Sequence, residues 1–293
     1  MTASATSGKT VGEALAWAEA RLRVAGVSSA DTEARFLLAE RLSCAPALLF
    51  VKRAEAVGSA LDGFEADVER RARREPADYI HGYSIFFGKR FAVDPRVLVP
   101  RPETELLVEA AIAAASRTKV ARVLDVGAGS GAISVSLALQ LGARVEVTAL
   151  DISEDALKVA AANALRLGAT EIRFLKSDVY QALRPEFRGY FDIIVANPPY
   201  VATPQFPALE PELSFEPRIA LDGGPDGLGV IRRLVAEAPE FLRPGGRLLT
   251  EIGFDQASAV SSLFDAAGFG GVTVSKDLSG HDRLISGDIS GPV

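Results

Sequence analysis

Apolar positions in the first third of the chain recur every three or four residues. Val11, Leu15, Ala18 and Leu22 form one such stripe, and Gly26 stops it. Thr10 followed by Glu13 reads as a capping box: the hydroxyl accepts from a first-turn amide while the carboxylate reaches back to the cap. Ser29 to Leu42 repeats the form, with Asp31 and Glu33 in the first turn and Phe36, Leu37 and Leu42 expected inward. A third stripe runs from about Ser59 to Arg74 and ends before Pro76. Each helix is short and apolar on one face only, so the three must cover one another. The pattern predicts a small helical bundle over residues 1–77.

The period then changes. Over residues 78–99, aromatic and β-branched residues flank Gly88-Lys89, which predicts a β-hairpin connector. From residue 100 to 293 the pattern is α/β. Pro102 suits a first helical turn, and Glu103 and Glu105 suit its positive end. Short, continuous apolar runs follow at VARVLDV, VEVTAL, IRFLKS, DIIVA and RLLTEI, with helices near 131–141, 153–167 and 226–242. Such strands, alternating with helices, make a parallel sheet buried on both faces. The last stretch, VTVSKDLSGHDRLISG, predicts two more strands and an antiparallel finish.

Composition removes several classes of function. The 293 residues are 48% hydrophobic and 24% charged, as in ordinary globular proteins. A formal net charge of −6 argues against coating nucleic acid by bulk charge, and no direct nucleic-acid partner is expected. One cysteine and two histidines exclude a disulfide framework and predict no metal centre; reducing cytoplasm is the expected compartment. The first twenty residues are small and polar and predict no secretory signal. No window reaches the roughly 18 apolar residues of a membrane span, so no membrane partner is expected.

Two motifs carry chemistry. Gly127-Ala128-Gly129-Ser130-Gly131 follows the strand VARVLDV and opens a helix, a turn that lies at the ligand-binding edge of a doubly wound sheet. The next strand ends at Asp151, placed to accept from ribose hydroxyls. The third ends at Asp178, whose carboxylate can accept from an adenine amine. Gly127, Gly129 and Ala132 also satisfy a relaxed dinucleotide pattern, so a nicotinamide or flavin enzyme competes. A glycine loop without a basic residue suits a sulfonium cofactor better than a pyrophosphate.

The second motif is Asn197-Pro198-Pro199-Tyr200, at the end of FDIIVA and facing the same edge. The Asn197 amide and the Pro198 carbonyl are acceptors for an NH2 group. The prolines hold the backbone rigid, and Tyr200 offers a flat face. A planar, conjugated NH2 is a poor nucleophile, and two acceptors would hold it in line with an electrophile. Catalysis is therefore expected from Asn197, Pro198 and Tyr200, and substrate binding from Asn197 to Tyr200.

These residues resemble class I S-adenosylmethionine-dependent methyltransferases. Pro100-Arg101-Pro102-Glu103-Thr104-Glu105 narrows the resemblance to the HemK-type protein-(glutamine-N5) methyltransferases. The stretches EPADYIHGYSIFFGKRF, LSFEPRIALDGGPDGL, LRPGGRLLTEIG and GHDRLISG fit as well. The resemblance implies a Rossmann-like, mostly parallel seven-stranded sheet, with S-adenosylmethionine as cofactor. It implies class 1 peptide chain release factors as protein partners, methylated at the glutamine of a Gly-Gly-Gln loop. It implies cofactor contacts from Gly127 to Gly131, Asp151, Asp178, Val179 and Asn197. Ala128 stands where threonine is frequent in the family, and Val179 where an aromatic often flanks the adenine. The rivals are the same chemistry on a ribosomal protein, adenine-N6 methylation of nucleic acid, and a translation-factor scaffold with a vestigial site.

Among other residues, Arg70, Arg71, Arg73 and Arg74 form a basic run suited to a solvated helix end or to an acidic protein surface. Arg101 and Glu103 are candidates to pin the connector over the cleft, Phe215 and Glu216 to wall it, and His281 to Arg283 to close the last turn.

Overall fold

The computed structural model describes residues 8–290; the outer ends of the expected domain spans, 1–7 and 291–293, lie outside the described residues. The chain divides into two compact units, Met1–Gly82 with Glu210–Phe215, and Tyr83–Leu209 with Glu216–Val293.

The first unit holds α1 (Val11–Val24), α2 (Ala30–Arg41), α3 (Leu61–Ala72) and α4 (Ala77–His81). The capping box at Thr10 and Glu13 is formed in both directions. Ala14, Ala18, Leu22, Leu37, Leu38, Phe64 and Val68 make the core. Phe36 departs from expectation: it is 51% exposed, while Ala34, Leu37 and Leu38 are buried. Two positions away from both Ala34 and Leu38, it lies on the far side of a helix with 3.6 residues per turn.

The arginines at the end of α3 are not an open basic face. Arg71 is buried between Glu33 and Glu212, with Glu212 at 2.8 Å. Arg74 pairs with Glu212 at 2.7 Å and Arg70 with Glu75 at 2.5 Å, which leaves Arg73 as the exposed member of the run. A buried guanidinium must be neutralised locally, and residues 210–215 supply the carboxylate that does so.

The second unit begins with a hairpin, β1 (Tyr83–Phe86) and β2 (Lys89–Ala92). Its turn residues are Phe87 and Gly88, at φ 48° and 70°, one position earlier than the sequence suggests. Positive φ at both positions matches the twist of a two-residue hairpin. A carboxylate holds Phe87 there, its N–H donating to Glu105 Oε1 at 2.7 Å. Phe86 and Phe91 are fully buried and meet edge to face.

Then follow α5 (Glu105–Ala115), β3 (Ala121–Val126), α6 (Ala132–Leu141), β4 (Val145–Asp151), α7 (Glu154–Leu167) and β5 (Arg173–Lys176). Next come β6 (Phe191–Ala196), α8 (Gly229–Phe241), β7 (Leu242–Glu251), α9 (Ala257–Ala266), β8 (Phe269–Lys276) and β9 (Asp282–Ile289). The seven-stranded sheet has the order β5-β4-β3-β6-β7-β9-β8, and its first five strands are parallel. β9 inserts antiparallel between β7 and β8. Every residue of β6 is buried, as a central strand covered on both faces requires. The chain moves outward in opposite directions from β3 and β6, so their carboxyl ends form the topological switch point where such sheets bind ligands.

α9 escapes the sequence pattern because only Val260 and Phe264 carry its buried stripe, among serines and alanines.

Candidate functional site

Four consecutive parallel strand ends meet at one cleft. The loop after β3 folds over the end of β4, where the amides of Gly127 and Ala128 both donate to Leu150 O at 2.8 Å. Gly131 closes the loop at φ +81°, and a Cβ there would press the Ala160 backbone at 3.2 Å. Asn163 of α7 ties this loop to the hairpin. Its Nδ2 donates to Ser130 O and Ala92 O, both at 2.9 Å, and its Oδ1 accepts from Ala92 N at 2.8 Å.

Two acids support the loop. Asp151 accepts from Gly129 N and Ser153 N, both at 2.8 Å, so the same carboxylate braces the loop and faces the cleft. Burial pushes its pKa up, and these amides work against the shift. Asp125, one residue from the end of β3, has no exposure at all. Its Oδ2 accepts from Ser134 N at 3.1 Å, and its Oδ1 has no partner among the described residues. Burial pushes its carboxyl up to about 7, and Asp151 adds to the shift.

At the end of β5, Asp178 lines the cleft but gives one oxygen to Arg233 at 2.9 Å. Val179 lines it too, with φ +49°, a backbone state costly for a β-branched residue. Ser177 enforces the turn, donating to Val179 O at 2.8 Å and accepting from Ala182 N at 3.0 Å. The neighbouring aromatic, Tyr180, faces the core instead and stacks on Phe241.

The end of β6 is held by side chains from far along the chain. Asn197 Nδ2 donates to Thr104 Oγ1 at 3.0 Å, and Thr104 Oγ1 donates to Glu251 Oε2 at 2.6 Å. Tyr200 reaches the other oxygen of Glu251 at 3.2 Å. Gln256 Nε2 donates to Tyr200 O at 3.0 Å, while Gln256 Oε1 accepts from Gly253 N at 2.9 Å. Gly227 presses on the same carbonyl: at φ +76°, a Cβ would come within 2.4 Å of Tyr200 O. Burial and then the Glu251 charge push the Tyr200 phenol above its ordinary value.

Gly127, Ala128, Gly129, Ser130, Asp151, Asp178, Val179, Asn197, Pro198 and Pro199 all line the cleft. Gly131 and Tyr200 sit behind this surface: Gly131 caps α6, and the Tyr200 hydroxyl points at Glu251. Residues not singled out from the sequence also line the cleft, among them Arg96, Val97, Ile152 and Ile219. Arg101 lines it and pairs with Glu216, which is almost fully buried and also accepts from Val99 N at 3.0 Å. Phe215 falls in the first unit. His281 N and Arg283 Nε both donate to Asp277, at 3.0 and 3.3 Å, closing the β8–β9 turn. Among the described residues, no helix is long and apolar enough to cross a membrane, and no group of acids, histidines or cysteines is placed to hold a metal ion.

Residues 117–266 match a family described as a methyltransferase domain, and residues 13–82 match the PrmC N-terminal domain. The chain is similar to a release factor glutamine methyltransferase of Cereibacter sphaeroides, 44% identical over 94% of this chain and 96% of the relative. It is 39% identical to one of Geobacter sulfurreducens, over 96% of this chain and 97% of the relative. A methyltransferase structure from Pyrococcus furiosus shares the fold, with a TM-score of 0.52, 20% identity, and coverage of 76% of this chain and 99% of that one. With identity of this level sustained over nearly both full lengths, the chain belongs to the release factor glutamine methyltransferase family.

Proposed function

We propose that this protein uses S-adenosylmethionine to methylate the side-chain amide nitrogen of a glutamine in a class 1 peptide chain release factor, in the cytoplasm. The observation that carries this reading is one cleft lined by both the glycine loop and Asn197-Pro198-Pro199. The two segments touch: a Cβ on Gly127 would lie 3.6 Å from Asn197 O.

The loop fits such a cofactor. A Cβ built on Gly129 meets nothing within 4 Å, so its backbone is open to a ligand. Asp151 would take the ribose hydroxyls, and the free oxygen of Asp178 the adenine amine. Val179 and Ile152 would give the ring apolar cover. When bound, the cofactor supplies an electrophilic methyl group on a sulfonium.

On the acceptor side, Asn197 Oδ1 and the Pro198 carbonyl would each take one hydrogen of the glutamine NH2. The grip orients the nitrogen and favours its pyramidal form as the new bond grows. As the methyl–sulfur bond breaks the methylated nitrogen carries the positive charge, and in that state it gives a proton to water readily, so no strong general base is needed. Arg101 and Pro217 would wall the entrance, with Glu216 holding Arg101 from behind.

The test is methyl transfer from labelled S-adenosylmethionine. A release factor should take label and its Gly-Gly-Ala variant should not; ribosomal proteins and DNA should stay unlabelled. Label that persists on the Gly-Gly-Ala variant, or that appears on DNA instead, sinks the reading.

A further inference from the structure

The acceptor half of the cleft contains a chain of three hydrogen bonds with a direction. Glu251 lies at the end of β7 and is 2% exposed. Its two oxygens face two hydroxyls, Thr104 at 2.6 Å and Tyr200 at 3.2 Å. Both hydroxyls donate to it, one to each oxygen. Burial pushes the Glu251 carboxyl up and the Glu103 charge adds to the rise; Thr104, the Arg283 charge and Tyr200 oppose it without reversing it.

Thr104 has one hydroxyl proton. With that proton on Glu251, the Thr104 oxygen can only accept from Asn197. The group 3.0 Å away must therefore be the amide nitrogen, Nδ2. The amide oxygen is left to the cleft. Reversing the amide would set its NH2 against the substrate NH2, donor against donor.

We propose that Thr104 and Glu251 are positioning residues that fix the polarity of Asn197, so that its oxygen rather than its nitrogen meets the substrate amine. The proposal rests on the reading of Asn197 as the amide receptor. Thr104 borders the cleft and Glu251 lies behind it, and both act through Asn197.

The experiment compares Thr104→Val, which keeps shape and removes the hydroxyl, with Thr104→Ser, which keeps the hydroxyl. Turnover is measured at saturating S-adenosylmethionine and release factor, and cofactor Kd by calorimetry. Thr104→Val should lower kcat about 10–100-fold, as expected when a reacting group is misplaced. Its cofactor Kd should stay within about twofold of the parent, because the glycine loop is untouched. Thr104→Ser should recover kcat to within about threefold. Unchanged kcat in Thr104→Val overturns the proposal. So does an equal loss in Thr104→Ser, which would mean that packing, not the hydroxyl, matters. If Thr104→Val does not fold, Glu251→Met carries the test. Methionine brings no oxygen for either hydroxyl, so Thr104 is released to donate to the Asn197 oxygen; kcat should fall at unchanged Kd, and a normal kcat overturns the proposal. An Asn197→Ala control separates the levels. If it turns over normally, the amide-receptor reading itself fails. If it is inactive while Thr104→Val is normal, only the positioning role fails.

Discussion

The two halves of the cleft are built by opposite means. The glycine loop is a backbone device. Its amides bond to the adjacent strand, and two side chains brace it, Asp151 at the end of that strand and Asn163 of α7. The Asn197 segment is a side-chain device. Thr104, Glu251 and Gln256, from three separate elements, set its amide and its Tyr200 carbonyl. A backbone device leaves a local signature, since glycines must recur at fixed spacing. A side-chain device leaves none beyond the residues at its tip. Under the proposed function, the comparison teaches that the cofactor asks for little more than an open edge, whereas gripping an amine asks for a second layer that fixes direction.

The sharpest break between the halves is Asn197→Ala. Turnover should fall about 10²–10³-fold, the loss typical of one preorganised polar group, while most cofactor affinity remains. Steady-state kinetics and calorimetry on the same preparation check both. Asp151→Ala should do the reverse. Losing a charged acceptor, and with it the brace on Gly129, should weaken cofactor binding by about 1.5–3 kcal/mol, read as Kd.

Gly227→Ala tests the second layer from outside. At φ +76°, with Tyr200 O only 2.4 Å from the new Cβ, the segment must shift. A loss of about 2 kcal/mol in unfolding free energy, with reduced turnover and near-normal cofactor Kd, is expected. Denaturant melts against the parent measure it.

An effect confined to the pH dependence of stability should come from Asp125, beneath the glycine loop. Its folded pKa is raised from an ordinary 3.8 to about 7. A raised folded value means that the protonated form suits the fold. Its stabilising contribution is full below about pH 4 and is lost as pH rises through 7. Relative to Asp125→Asn, the parent should therefore lose about 2–3 kcal/mol between pH 5 and 8. A constant difference across that window would show that Asp125 does not titrate there.

The same contrast explains what could be read without coordinates. The helical stripes, the alternating strands and the antiparallel finish follow from periodicity, because burial acts on every turn or every second residue. The hairpin was visible, but its turn falls one residue early, because Glu105, eighteen positions on, captures the amide of Phe87. α9 was hidden by a two-residue stripe. Asp178 was legible as an edge acid, yet its pairing with Arg233 of α8 was not. Tyr200 was legible as part of a motif, but whether its ring faced the cleft depended on Glu251, whose bond to it spans 51 positions. Thr104 and Glu251 did lie within PRPETE and LRPGGRLLTEIG, the stretches that carry the resemblance. Nothing local said that they meet.

The most direct test of a divided cleft is cofactor affinity in three variants, Asn197→Ala, Asp151→Ala and the two combined, measured by calorimetry. The account predicts that Asn197→Ala stays within about threefold of the parent, and that the double variant matches Asp151→Ala. An Asn197→Ala protein that loses as much affinity as Asp151→Ala would contradict it, and the two halves would be one site.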